Sequence, residues 1–279
     1  MTNAADWQGT VGRSWAQKWQ KTDTSFCELT PHLLAAISSE PGSRIVDIGC
    51  GAGELSLAVA RARPDADVTG IDISGDLVEA ARARAAQPNV SFVEVDASVW
   101  QPDDAAPDLF VSRHGVMFFP DPPRAFGHLA SVAAPDARIV FSCFRKAAEN
   151  AWAARIAELL PPAPAMPAPT PAERFAPGPF AFAEPEHVRA CMAGWRDLAF
   201  TPVDFAYVAG AGADPVGEAM ALFRRIGPAA AALRTLPQKD REVVEARLLT
   251  LVEAHLVDGR VSFPAAAWLV SATSDHRNG

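Results

Sequence analysis

The chain has 279 residues, of which 49% are apolar and 21% charged. That is long enough to bury a sizeable core and too hydrophobic for a disordered chain. Lys and Arg number 25 against 33 Asp and Glu, a net charge of -8, which argues against nucleic acid or an anionic membrane surface as a partner. Cys27, Cys50, Cys143 and Cys191 lie far apart without metal-ligand spacing, so reduced, buried thiols and no metal are expected. The start, MTNAADWQGTVGRSW, lacks the basic end and apolar run of a signal peptide. No window approaches the ~18 uninterrupted apolar residues of a membrane span. The expected location is the cytoplasm.

In chain order, residues 1–40 are polar and then helical, with Trp at 7, 15 and 19 and Pro31 opening a helix that stops near Pro41-Gly42. Strands are predicted at Arg44–Ile48, Val68–Asp72, Val90–Val95, Asp108–Ser112 and Arg138–Ser142. Helices are predicted between them at Glu54–Ala62, Asp76–Ala86 and Pro122–Val132. Alternation at this spacing implies βαβ units and a mostly parallel sheet. A helix near Asn150–Leu160 follows, then a loop over residues 161–185 with nine Pro. Glu186–Ala193 reads as a helix, and Asp197–Val208 and Ala265–Ala272 as strands. Between those strands the chain is mostly helical, with Leu248, Leu249, Val252 and Leu256 expected on one face. One domain, 1–279, is expected. Residues 1–40 would form a helical lid, 161–185 a Pro-rich loop, and 210–258 a helical cap between the last two strands.

The chemistry concentrates after the first strand, in Val46-Asp47-Ile48-Gly49-Cys50-Gly51-Ala52-Gly53-Glu54. Three glycines permit a tight turn and close backbone approach to a ligand, and the next helix points its N-terminal amides there. The spacing is G-x-G-x-G, not the G-x-G-x-x-G of dinucleotide sites. Asp47 would repel a pyrophosphate but attract an ammonium or sulfonium. Asp72 ends the second strand and can accept two ribose hydroxyls. Asp96 follows the third and can accept from an adenine amino group. All three would face the crevice at the sheet's carboxyl edge.

The runs VDIGCGAGELS, TGIDIS and VEVDAS resemble the class I S-adenosylmethionine-dependent methyltransferases. SRHGVMFFPDPPRAF (112–126), Glu149-Asn150-Ala151-Trp152, GPFAFAEP (178–185) and PAAAWLVSA (264–272) are similar to later landmarks of a bacterial small-molecule group. The resemblance covers most of the chain. It implies a Rossmann-like, doubly wound α/β fold: a mostly parallel seven-stranded sheet with one antiparallel strand, plus the helical cap. It implies S-adenosylmethionine as cofactor. Asp47, Gly49, Cys50 and Gly51 would then bracket the methionine part, with Ser112 or Arg113 at its end. Asp72 would hold the ribose, Ile73 the adenine face, and Asp96 and Ala97 the adenine edge. Trp15 and Trp19 would fold over the cofactor; helix packing at i, i+4 is the other reading.

Methyl transfer from a sulfonium needs position more than a base. His114, beside the presumed transfer centre, is the candidate base, although the group pattern often has Phe there. Arg113 can bind an acidic substrate or pair with a carboxylate. Cys143 and Trp152 can line the acceptor pocket, while His32, His128, His187, His255 and His276 have no partner pattern. The Asn/Asp-Pro-Pro-aromatic run of many adenine and glutamine N-methyltransferases is replaced by Ser112-Arg113-His114-Gly115. The expected partner is therefore a small-molecule acceptor, with O-methylation ahead of N- or C-methylation and a homodimer left open. A nucleotide-dependent oxidoreductase and a non-catalytic cofactor sensor are the alternatives.

Overall fold

The computed structural model describes residues 7–161, 170 and 175–275. Five apolar stretches form its parallel strands: β1 (Arg44–Ile48), β2 (Asp67–Asp72), β3 (Val90–Glu94), β4 (Leu109–Arg113) and β5 (Arg138–Phe144). Two long strands, β6 (Trp195–Gly210) and β8 (Arg260–Ser274), complete the sheet in the order β3-β2-β1-β4-β5-β8-β6. Strand β8 runs antiparallel to both neighbours, so the sheet has the expected seven strands with one reversed.

An eighth strand, β7 (Leu256–Val257), was not anticipated; it pairs with the start of β8. The turn between them is Asp258-Gly259, at φ 49° and 73°. Asp-Gly with two positive φ values is the signature of a tight hairpin, so the signal was present. It also carries β8 back to Arg260, five residues before the predicted start at Ala265.

The described helices are α1 (Thr10–Ala16), α2 (Trp19–Ser25), α3 (Thr30–Ser38), α4 (Glu54–Ala62), α5 (Gly75–Arg84), α6 (Pro122–Val132), α7 (Ala151–Glu158), α8 (Pro185–Cys191), α9 (Pro215–Phe223), α10 (Gly227–Leu233) and α11 (Gln238–Ala254). Helices α9 to α11 lie between β6 and β8 in the chain. The inward stripe of α11 is Val244, Leu248 and Val252. Leu249 and Leu256, expected beside them, are 38% and 41% exposed. Leu249 is one residue, about 100°, round the helix from Leu248, and Leu256 lies beyond the helix end. Helix α4 is buried over most of its circumference, Ser56, Leu57 and Ala60 included, while Ala62 is exposed. The Pro-rich loop expected over 161–185 falls largely outside the described residues, as does His276.

Aromatic side chains fill the centre: Phe110, Phe126, Phe141 and Phe182 are fully buried. Helix α6 starts where Asp121 accepts from the Arg124 amide and Pro122 takes the first position. Asp121→Ala is expected to lower unfolding stability by about 0.5–2 kcal/mol, read as a reduced midpoint in urea with an unchanged slope. Arg63 ties the end of α3 to α4, donating to the carbonyls of Ile37, Glu40 and Gly42. Parallel register brings the carboxyl ends of β1, β2 and β4 to one edge, with Ile48 opposite Ile71 and Asp47 opposite Val111. The order reverses between β1 and β4, and a crevice opens outside such a point.

Candidate functional site

The chain leaves β1 through Gly49, Gly51 and Gly53, all in the left-handed region at φ 64°, 55° and 83°. A Cβ on Gly49 would stand 3.0 Å from the Gly115 Cα, whereas one on Gly51 would meet nothing within 4 Å. The first glycine is needed for the turn; the second leaves a space that any side chain would fill.

Two adjoining hollows share Gly49, Gly51 and Arg113. The larger, of about 270 Å³, runs from Asp72 and Asp96 to a group of aromatic rings. The smaller, of about 80 Å³, is bordered by Asp23, Asp47 and Glu54. The three acids predicted at successive strand ends therefore converge on one place, Asp72 and Asp96 on the main cavity and Asp47 on its annex.

Each acid is held differently. Asp72 accepts from the Gly51 amide at 2.8 Å and the Ser74 amide at 2.9 Å. Burial raises its pKa, opposed by those backbone hydrogen bonds. Each oxygen keeps a lone pair for a further donor. Asp96 accepts from the Ser98 amide. Asp47 is almost wholly buried; its Oδ2 accepts from Ser56 at 2.5 Å while Oδ1 has no partner. Burial pushes its pKa up to about 7, against the Ser56 hydrogen bond and the Arg113 charge. An orphaned, half-protonated carboxyl beside a small hollow is a site for a cation or a strong donor.

Ile73 and Ala97 line the main cavity together with Asp72 and Asp96. Cys50 borders the annex with its thiol turned to the Gly51 carbonyl. Ser112 lines neither hollow: its hydroxyl donates to the Ile48 carbonyl and accepts from the Gly115 amide, clipping β1 to the loop after β4. Trp15 lines the main cavity, but Trp19 does not. Helix α1 ends at Ala16, so the i, i+4 relation fails, and Trp19 stacks 3.6 Å from the Arg84 guanidinium instead.

Arg113 takes the paired role. Its guanidinium donates to Glu54 at 2.6 Å and Thr30 at 3.0 Å, and lies 3.5 Å from Asp23. Glu54 and Asp23 were not singled out in the sequence, because only the fold brings α2 and α4 together at Arg113.

His114 lines the main cavity in a left-handed conformation, φ 61°. Its Nδ1 is 2.9 Å from the Ser142 hydroxyl and its Nε2 has no partner. Burial, then the Arg113 charge, lowers its pKa to about 3. The candidate base is therefore neutral throughout the physiological range and a weak proton acceptor as it stands.

Trp152 lines the cavity, while Cys143 is core, its thiol on the Phe182 carbonyl and its pKa raised by burial. Phe26, Phe144 and Tyr207 complete that wall and were not foreseen. They come from the residue that ends α2, from β5 and from β6, and no local spacing links them. Among the described residues no cluster of His, Cys, Asp and Glu is placed to hold a metal, and no helix is long and apolar enough to cross a membrane.

A Rossmann-like sheet with one reversed strand, a glycine turn at its switch point and acids at three strand ends is the arrangement that the resemblance to class I S-adenosylmethionine-dependent methyltransferases implies. Residues 45–136 match the model of a methyltransferase domain. It is 35% identical, over 45% of its length and 52% of the relative's, to the trans-aconitate 2-methyltransferase of Methylobacterium radiotolerans. It is 39% identical, over 37% of its length and 40% of the relative's, to the enzyme of that name from Escherichia coli O1:K1. The chain thus spans about half or less of the length of these relatives. In fold it is similar, at TM-score 0.54 and 18% identity over 90% of this chain and 82% of the other, to a structure reported for conversion of a disulfide bond into a thioacetal group during echinomycin biosynthesis.

Proposed function

We propose that the protein transfers a methyl group from S-adenosylmethionine to a small-molecule acceptor, with an oxygen acceptor favoured over nitrogen or carbon. One observation carries this reading: the acidic, glycine-rich cradle and the aromatic chamber are two ends of one cavity, so donor and acceptor can meet away from bulk water. When bound, the cofactor supplies a methyl group already activated on a sulfonium. Asp72 holds the ribose hydroxyls, Ile73, Asp96 and Ala97 the adenine, and Asp47 with the glycine turn the amino end. Arg113 orders the annex through Glu54 and Asp23. Alignment of this kind contributes on the order of 7–11 kcal/mol in favourable cases. Residues 7–40 act as a lid and 210–258 as a cap over the acceptor.

Calorimetric titration with S-adenosylhomocysteine tests the cofactor reading. Saturable binding is expected, and none at millimolar ligand would overturn it. The affinity should rise from pH 6 to pH 8. Below about 7 the Asp47 carboxyl is mostly protonated, and an ammonium beside it favours the ionised form, so binding at pH 6 releases a proton. Asp47→Asn should remove that dependence, seen as a binding enthalpy that no longer varies with buffer.

His114 serves as a neutral wall and hydrogen-bonding residue. The profile of kcat/KM against pH should show no inflection near 6.5, where an ordinary histidine base would titrate. An inflection there that disappears in His114→Phe would restore the base.

A further inference from the structure

The acceptor end of the cavity has its own chemistry. Five rings pack into one wall at that end, where Phe144 also lies 5.9 Å from Phe26 and 6.5 Å from Tyr207. Centroid distances run 4.8 Å from His114 to Phe26, 5.6 Å to Tyr207, 5.3 Å to Trp152, 5.4 Å to Phe144 and 4.2 Å back to His114. All five residues line the cavity. Trp152 and Tyr207 lie nearly parallel, 26° apart.

The one cation lining the cavity is already committed. Among the described lining residues Arg113 is the single cation, and it is shared by Glu54 and Asp23. Arg225 does not line the cavity; it donates to the Ser14 carbonyl and stacks 5.4 Å from the Trp15 ring, while its buried Nε has no partner. A carboxylate entering the chamber would lose its hydration and gain no counter-ion. Two polar groups on the wall are unmet: Trp152 Nε1 and His114 Nε2 are buried without a hydrogen-bond partner. An indole N–H can only donate, so what Trp152 lacks is an oxygen.

We propose that the methyl acceptor is a planar, uncharged aromatic molecule bearing an oxygen substituent, packed in the cavity against the wall of Phe26, Phe144, Trp152 and Tyr207, with the oxygen meeting the Trp152 N–H. Its role as acceptor rests on the methyltransferase reading above; the pocket itself does not. Stacked and edge-on aromatic contacts hold the plane, and the unmet donor selects the oxygen. Polycarboxylates are rejected.

The test is titration of 1-naphthol, naphthalene and trans-aconitate, each into the protein alone and into protein saturated with S-adenosylhomocysteine. Naphthol is expected to bind both forms and trans-aconitate neither. Trp152→Phe keeps a ring and removes the N–H; it should weaken naphthol roughly three- to tenfold and leave naphthalene and S-adenosylhomocysteine unchanged. Binding of trans-aconitate with naphthol silent would overturn the proposal. So would a Trp152→Phe effect equal for naphthol and naphthalene. Naphthol bound with S-adenosylhomocysteine rejected would defeat the methyltransferase reading and leave the aromatic site standing; the converse would defeat this proposal alone.

Discussion

Replacing Asp72 with alanine is expected to weaken S-adenosylhomocysteine binding by about 1–3 kcal/mol, from fivefold to more than a hundredfold. Two losses combine. The carboxylate is the acceptor available to a ribose diol at the end of β2. It also fastens the Gly51 and Ser74 amides, so its removal frees the glycine turn on one side and the entrance to α5 on the other. Asp72→Asn separates these effects. It preserves size, but its amide nitrogen would face a backbone N–H that now meets a carboxylate oxygen, so one of the two fastenings is lost. The expected order of affinity is wild type, then Asn, then Ala. Equal affinities in calorimetry would remove Asp72 from the site.

The second large effect comes from the glycine turn, where two neighbouring substitutions should fail in different ways. Gly49→Ala places a Cβ against Gly115 at a positive φ, so backbone strain on the order of 1–3 kcal/mol is joined by displacement of the loop that carries His114. Lower stability and lost binding are expected together. Gly51→Ala carries similar strain but meets no protein atom. It should fold with only a modest drop in melting temperature while S-adenosylhomocysteine binding falls at least tenfold, because the methyl group occupies the space the ligand backbone needs. Thermal denaturation with and without S-adenosylhomocysteine reads both outcomes. Gly51→Ala that still shows the wild-type ligand-induced shift would mean the cradle is not where the cofactor rests.

What could be read from the sequence follows from how local each signal is. Strand β1 and helix α6 were placed residue for residue, because an apolar run ending in glycine and an Asp-Pro-Pro cap are complete within ten residues. Asp72 and Asp96 were found because parallel strands deliver their ends to one edge whatever else the chain does. The aromatic chamber was not foreseen beyond Trp152, since Phe26, Phe144 and Tyr207 are separated by more than sixty positions at the closest. The protonation of His114 was misjudged for the same reason. Its position in the chain suggested a base, but its pKa is governed by a burial that only the packed fold creates. Trp19 parted from Trp15 because a break between two short helices is not visible in spacing alone.

Asp23 sends one oxygen to Arg113 and the other to Arg84, and Arg84 in turn donates to the Ala52 carbonyl in the glycine turn and stacks on Trp19. A single carboxylate thus anchors the amino-terminal segment to both banks of the crevice. Lifting that segment must sever two charged contacts in concert, so its release should be all-or-none and hastened by salt, which would make product departure sensitive to ionic strength even though neither departing product need carry a net charge.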